Sequence, residues 1–338
     1  MKNLTFFEKV IAFINSIAAF LLLLSYVLPN IPPKTFATLS VLSLGVPFLI
    51  LLNVLFFVYW LIKIKKQLLL SLIVVALGYF LFGSLYKFSN WEEDGSESLS
   101  IMNYNVRLFN LYDWIPEKGI GLKLVDFVKK ENPDILCLQE YHLQDDVDFS
   151  SYNYKYEKLE GQKIKMGQAI FSKYPIVKSG SVQFPKTANN AIFADIVKGK
   201  DTIRVYNLHL QSLGIDPQVQ KLTTENSEKL ITGIGETFKL QQSQTELFLK
   251  HKNKSPYKVI ISGDFNNSAF SYVYKTIRGD MKDAFKEQGN GFGRTYNFKF
   301  FPLRIDFLLV DKSWTVNSFK TYDVQYSDHY PILTKISF

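Results

Sequence analysis

The chain has 338 residues, enough for one large domain or two smaller ones, with 47% hydrophobic and 15% aromatic residues and a formal net charge of +8. The basic excess is concentrated at one end: the first 90 residues carry seven lysines (positions 2, 9, 34, 63, 65, 66 and 87) against a single acidic side chain, Glu8. The remainder is near neutral, which argues against tight, non-specific duplex binding through many cationic contacts. The single cysteine, Cys137, excludes an intramolecular disulfide and a cysteine-rich zinc centre, and its place in "DILCLQE" reads as a buried, inert thiol.

Three apolar segments open the chain, at about 10–28, 36–62 and 68–86. Each is about as long as a helix needs to cross ~30 Å of hydrocarbon. No small-residue cleavage site follows the first, and "LPNIPPK" leads straight into the next, so it is expected to remain as a membrane anchor. Pro47 is expected to kink the second segment. Lys2, Lys9 and the "KIKK" loop flank one side, with only Lys34 on the other, so the N-terminus and that loop are expected in the cytoplasm. Three crossings then put everything after residue 90 on the far side, as in a bacterial inner-membrane protein with an extracytoplasmic domain. A two-span reading would leave the domain inside.

Trp91–Ser98 reads as a linker, and from Leu99 strands alternate with helices. "LSIMNYNV", "DILCLQE", "GQAIFSKYPI", "AIFADIVKG", "TIRVYNLHLQS", "KVIISGDFN", "RIDFLLVD" and "YPILTKISF" read as strands bounded by turn residues. "GIGLKLVDFVKKEN" predicts an amphipathic helix with Leu122, Val125 and Val128 on one side, and residues 216–250 a longer helix. A further helix or turn is expected near "SAFSYVYKTI".

Polar groups recur where these strands stop: Asn105, Glu140, His209, Asp264 with Asn266, Asp306 inside "RIDFLLV", and Asp328 and His329 ahead of the last strand. Several from well-separated stretches suggest one cleft at the edge of a sheet structure. Glu140, Asp264 and Asp328 are hard oxygen donors suited to Mg²⁺ or a similar cation. Asn105 and Asn266 offer neutral donors to phosphate oxygens or a metal-bound water. His209 and His329 can move protons near neutral pH, and Asp306 could hold one imidazole in the correct tautomer. Together these groups suit hydrolysis of phosphate esters. His142 and His251 follow no motif and are expected to be structural, and Lys158, Lys163 and Lys165 read as a solvated hairpin.

In order, "NYNVRLFN", "PDILCLQE", "VYNLHLQS", "ISGDFN", "RIDFLLV" and "YSDHYPI" resemble the motifs of the endonuclease/exonuclease/phosphatase superfamily over residues 99–338. That superfamily includes pancreatic-type deoxyribonuclease, AP endonucleases, neutral sphingomyelinases and inositol-phosphate 5-phosphatases. The resemblance implies an α/β four-layer sandwich, two packed mixed β-sheets flanked by helices, here preceded by three transmembrane helices in residues 1–90. It implies Glu140 as principal metal ligand with Asn105 beside it and Asp328 near the metal, for Mg²⁺ or else Mn²⁺ or Ca²⁺. Asp264 and Asn266 would orient water and contact the scissile phosphate. His329, aligned by Asp306, would be the general base or transition-state partner, and His209 would donate to a leaving or non-bridging oxygen. Where some relatives carry a phosphate-gripping arginine, this chain has Asn189 and Asn190, and Asn190 is the expected substrate contact. The expected activity is an endonuclease-like, metal-dependent phosphodiesterase acting on nucleic acid. The alternatives are a sphingomyelinase-like enzyme on phospholipid head groups, a phosphomonoesterase, or a silent membrane scaffold, against which the intact Glu140 and His329 speak.

Overall fold

A computed structural model describes residues 4–83, 85–88, 98–185, 187–214, 224–298 and 301–338. Residues 91–97 of the linker expected at 91–98, and the start of the helix expected from 216, lie outside the described residues. The chain divides into a helical unit (Met1–Leu85, Gly214–Gln242, Ser268–Lys275) and a sheet unit (Tyr86–Leu213, Ser243–Asn267, Thr276–Phe338).

In the helical unit, α1 (Phe6–Ser25) starts on a reciprocal cap in which the Glu8 amide donates to Thr5 Oγ1 and the Thr5 amide to the Glu8 carboxylate. The second apolar segment is a short α2 (Ala37–Val41), a 3₁₀ turn (Leu42–Gly45) and α3 (Val46–Ile62). Pro47 therefore stands in the first turn of α3, where a missing N–H costs nothing, and the irregular backbone precedes it. Two stretches, Phe6–Asn30 and Ala37–Ile62, are long and apolar enough to cross a membrane. The third expected span falls short. Its helix, α4 (Leu68–Phe82), has 15 residues, about 22 Å at the helical rise, and ends on Gly83 in the left-handed conformation.

Side-chain polarity in this unit runs opposite to that of a water-soluble bundle. Asn15, Asn53 and Ser71 are buried, while Phe6, Phe13, Phe20, Leu55, Ile73 and Phe80 are exposed. Asn15 Nδ2 donates to Ser71 Oγ at 2.7 Å and Asn15 Oδ1 accepts from Trp60 Nε1 at 2.9 Å, so one amide ties α1 to both α3 and α4. The Tyr26 hydroxyl donates to the Val74 carbonyl at 2.8 Å. It passes so near Gly78 that a Cβ there would lie 2.2 Å from its oxygen.

The sheet unit holds two six-stranded mixed sheets. Its strands are β1 (Leu99–Asn105), β2 (Ile135–His142), β3 (Tyr154–Glu160), β4 (Met166–Ser172), β5 (Ile176–Gln183), β6 (Asn190–Lys198) and β7 (Asp201–His209). They continue with β8 (Lys258–Asp264), β9 (Lys282–Asp283), β10 (Asp306–Val310), β11 (Thr315–Thr321) and β12 (Ile332–Ser337). The orders are β11-β12-β1-β2-β4-β3 and β5-β6-β7-β8-β10-β9. Each sheet has one parallel pair, and each of these is joined by a helix, as parallel neighbours require: β1–β2 through α5 (Ile120–Glu131) and β7–β8 through α6 (Thr224–Lys252).

α5 buries Leu124, Val125 and Val128 against Met102, Tyr104, Leu136 and Leu138 on the outer face of the first sheet, and Ile120 is buried as well. Leu122, expected on that side, is 51% exposed. Val125 and Val128 pack on the sheet as expected, and a turn back the buried row continues through Leu124 and Ile120 rather than Leu122. On the second sheet, Phe193 and Tyr206 carry Phe248 and His251 of α6.

Because strand side chains alternate, residues two apart share a face. One face of each sheet contributes to a shared core that includes Leu99, Ile101, Ile135, Cys137, Ile203, Val205, Ile260, Leu308 and Val310. Followed along the strands, this face changes character in step. Leu99 and Ile101 give way to Asn103 and Asn105, Ile203 and Val205 to Asn207 and His209, Ile260 to Ser262 and Asp264, and Val310 and Leu308 to Asp306. Between β7 and β8 register keeps the steps level: Val205 pairs with Ile260, Asn207 with Ser262 and His209 with Asp264; across β10, Leu308 lies opposite Ser262 and Asp306 opposite Asp264.

Gly263 holds the close approach of β7 and β8, since a Cβ there would sit 1.9 Å from the Leu208 carbonyl oxygen. Gly263→Ala is expected to cost roughly 3 kcal/mol or more of stability, read as a lowered thermal midpoint.

Candidate active site

The ends of these strands bring together most of the expected residues. Asn105 closes β1 and its amide nitrogen lies 3.1 Å from both Glu140 Oε1 and Asp264 Oδ2. Glu140 reaches this face through a bulge. Strict alternation would send it outward with Leu138, but the pairing slips between Gln139 and Tyr141 and Glu140 takes a left-handed φ of 48°. Such a bulge re-aims a side chain, and its strain is held by the pairing on either side. After it the alternation is inverted, so Tyr141 joins Leu138 in the outer core.

Asp306 accepts from His329 Nδ1 at 2.9 Å, and the opposite nitrogen, Nε2, stands 3.6 Å from Asp264 Oδ2. His209 Nε2 lies 3.8 Å from the same oxygen and 3.9 Å from Glu140 Oε1. It is buried with no hydrogen-bond partner among the described residues. At 3.8 and 3.9 Å both carboxylate oxygens are too far for a direct hydrogen bond.

Other expected residues sit at the edge. Asp328 Oδ2 is paired with Arg107 Nη1 at 3.2 Å. Asn266, itself at φ 49°, donates its backbone N–H to Asp264 Oδ1 at 2.7 Å and its side-chain amide to the Leu210 carbonyl at 2.9 Å. Asn190 pairs with His209 in the β6–β7 ladder, but its amide donates to Ser181 of β5 at 2.6 Å. His142 bonds the Leu108 carbonyl at 3.0 Å and His251 the Tyr206 hydroxyl at 2.8 Å, both structural positions as expected.

A layer of neutral amides, none of them among the expected site residues, lies directly behind the ionisable groups. Asn103 Nδ2 donates to Asp306 Oδ1 at 3.3 Å, while its Oδ1 accepts from Gln139 Nε2 at 2.8 Å and Ser262 Oγ at 2.8 Å. Gln139 also donates to Asn207 Oδ1 at 2.6 Å, and Asn207 in turn donates to the carbonyls of Leu138 and Ala169. Asn103 and Asn207 each break an apolar inward run two residues before a site residue, and Gln139 does so directly before the bulged Glu140, a signal present in "IMNYN", "LCLQE" and "VYNLH". Tyr296, in the aromatic stretch "RTYNFKFFPL" outside the six motifs, packs edge-on to His329 with centroids 5.0 Å apart.

Burial lowers the His209 imidazole against the pull of Glu140, favouring a neutral ring. Burial also acts to lower His329, but the carboxylates of Asp306 and Asp264 outweigh it and raise the imidazole. Asp264 is raised by burial, with His329 opposing, so the pair holds a proton in common reach. Burial pushes the Tyr296 phenol up to about 12, leaving it a hydrogen-bond donor.

The donor set fits a divalent cation. Glu140, 37% exposed at its side chain, faces the orphaned His209 nitrogen. One carboxylate with a few neutral oxygens is what Mg²⁺ takes when phosphate and water complete its shell. A second group of potential ligand atoms, on Asp264, Asp306 and His329, lies within 4.8 Å of one another, but there His329 and Asp306 already bind each other.

A buried His–Asp pair beside carboxylate and amide oxygens, at one end of paired mixed sheets, defines a metal-dependent phosphoric ester hydrolase of nuclease or phosphatase type. The chain belongs to the endonuclease/exonuclease/phosphatase family, whose family model matches residues 102–329. A domain of unknown function (DUF8431) matches residues 8–85. The fold is similar to that of humanized D. rerio TDP2 carrying 14 mutations (TM-score 0.53, 19% identity, 72% of this chain and 100% of that chain). It is also similar to an endonuclease/exonuclease/phosphatase family protein from Bacteroides thetaiotaomicron (TM-score 0.54, 19% identity, 72% and 98%). A mannosyl-6-phosphatase from the same organism shares it too (TM-score 0.52, 18% identity, 71% and 100%). No curated protein matches the chain.

Asn105→Ala removes the amide between two carboxylates. It is expected to weaken Mg²⁺ binding roughly 10- to 100-fold, read as loss of the Mg²⁺-dependent rise in thermal midpoint.

Proposed function

We propose that this protein is a membrane-anchored, metal-dependent phosphodiester hydrolase of endonuclease type, built on the family's four-layer sandwich. The observation that carries the reading is the line Asp306–His329–Asp264–Asn105–Glu140, in which each neighbour is within 3.6 Å of the next and the orphaned His209 nitrogen faces its end. Glu140, with Asn105 beside it and Asp328 at the rim, would hold Mg²⁺, or else Mn²⁺ or Ca²⁺. When bound, the cation supplies charge neutralisation on the phosphate oxygens.

The chain's own groups divide the remaining work. Asp306 orients His329 and balances its charge. The Asp264–His329 pair, with Asp264 fixed by the Asn266 amide, takes the proton of the attacking water as its oxygen bonds to phosphorus. The ester P–O bond breaks, and the leaving alkoxide takes a proton from solvent. His209, neutral through burial, donates from Nε2 to a phosphate oxygen. Asn190, turned to Ser181, would contact substrate only after releasing that bond. A D. rerio TDP2 structure holds a single-strand DNA product, which supports nucleic acid as the substrate class.

The helical unit supports an anchor, since its apolar side chains face outward and its amides inward. The lysine flanks support a cytoplasmic "KIKK" loop. The catalytic unit follows α4 in the chain, so it is extracytoplasmic if that helix crosses and cytoplasmic if it does not. At 15 residues α4 crosses only where the bilayer thins.

Nicking of supercoiled plasmid by the full chain in detergent is expected to require Mg²⁺, stop with EDTA, and fall at least about 100-fold in Glu140→Gln and His329→Ala. Intact plasmid with folded, metal-supplied protein would overturn the nuclease reading and turn the assay to phospholipid head groups and phosphomonoesters.

A further inference from the structure

Directly after Asn105 the chain makes a turn that the phosphoesterase chemistry leaves unexplained. Arg107, Leu108, Phe109 and Asn110 all have positive φ (40°, 53°, 49° and 64°), as does Asp113 (54°). None is glycine, and a run of such residues persists only where its surroundings over-determine it. Here they do. The Leu108 carbonyl meets His142 Nε2 at 3.0 Å, and Phe109 is buried edge-on to Tyr141. The Asn110 side chain closes the loop with two bonds to Ile115, donating to its carbonyl and accepting from its amide, both at 2.8 Å. The held loop presents two aromatic rings to solvent: Tyr112, 56% exposed, and Trp114, 42% exposed, edge to face at 5.1 Å.

Arg107 joins these rings to the active site. Its backbone N–H donates to Asn105 Oδ1 at 3.1 Å and its guanidinium pairs with Asp328. The same guanidinium lies over Trp114, 4.2 Å from the ring centroid. An exposed indole with one face covered by a cation, the cation itself two residues from the metal-site Asn105, is the arrangement on which a planar aromatic group stacks.

We propose that Trp114 and Tyr112, braced by Arg107, form a stacking subsite for an aromatic ring carried on the substrate phosphate, as in a nucleobase. The inference deepens the phosphodiesterase reading, on which it rests, by assigning where the organic part of the ester lies.

The test is calorimetric binding, with Mg²⁺, of thymidine 5′-monophosphate and methyl phosphate to the full chain in detergent. The two ligands share the phosphate and differ in the ring. Thymidine 5′-monophosphate is expected to bind roughly 5- to 20-fold tighter, a preference that Trp114→Ala abolishes and Trp114→Phe retains. Equal binding of the two by the unmodified chain overturns the subsite. So does a preference that survives both Trp114→Ala and Tyr112→Ala. If such a surviving preference accompanies weaker retention of Trp114→Ala on anionic phosphatidylserine vesicles, the rings are a membrane contact instead. The readout is binding, so failure to hydrolyse any ester would sink the phosphodiesterase reading separately.

Discussion

The pairing register of the two sheets is the constraint from which the site follows. A strand side chain faces the neighbouring sheet only at every second residue, so what meets at any depth is decided by which residues lie level. Between β7 and β8 the level pairs are alike in chemistry, Val205 with Ile260, Asn207 with Ser262 and His209 with Asp264, whereas Asn103 lies level with Cys137 and Ser262 with Leu308 in the neighbouring pairs. A slip of one residue in β7 would take His209 off this face, and a slip of two would carry it past Asp264. The apolar end supplies the burial that fixes the register.

The amide layer has a physical role in that sequence. A carboxylate such as Asp306, 1% exposed, is costly beside hydrocarbon, and a bonded amide can satisfy it without adding charge. Asn103 does so while being held from behind by Gln139 and Ser262. The His329–Asp306 pair is thus braced by strands of both sheets, which limits its freedom before substrate arrives. The helical unit likewise satisfies its buried amides internally: Ser71 bonds both Asn15 and Asn53, while hydrocarbon side chains face outward.

The strands "LSIMNYNV", "DILCLQE" and "KVIISGDFN" were legible because alternation and terminal turn residues agree there, and the order of motifs identified the family. The strands β3, β5 and β11, whose exposed faces carry Lys155, Lys178 and Lys320, have no continuous apolar run to mark them. α5 was located by its period, yet its buried row was misjudged through Leu122, because two candidate rows differ by a rotation that only the partner sheet selects. The third expected span failed for a related reason. Hydropathy counts residues through Tyr86, whereas the helix stops where Gly83 turns left-handed.

By itself the sequence determined which chemical groups were available and at which ends of which strands they stood, since period-2 patterning and polar punctuation are local properties. It also determined that the first 90 residues are apolar and lysine-flanked. Only the tertiary structure decided that Glu140 turns inward at a bulge, that Asn105 lies between two carboxylates, that Asp306 belongs to His329, and that Asn190 and Asp328 have partners of their own. Those outcomes depend on contacts between residues as far apart in the chain as Asn105 and Asp264, whose encounter is set by register and packing rather than by local pattern.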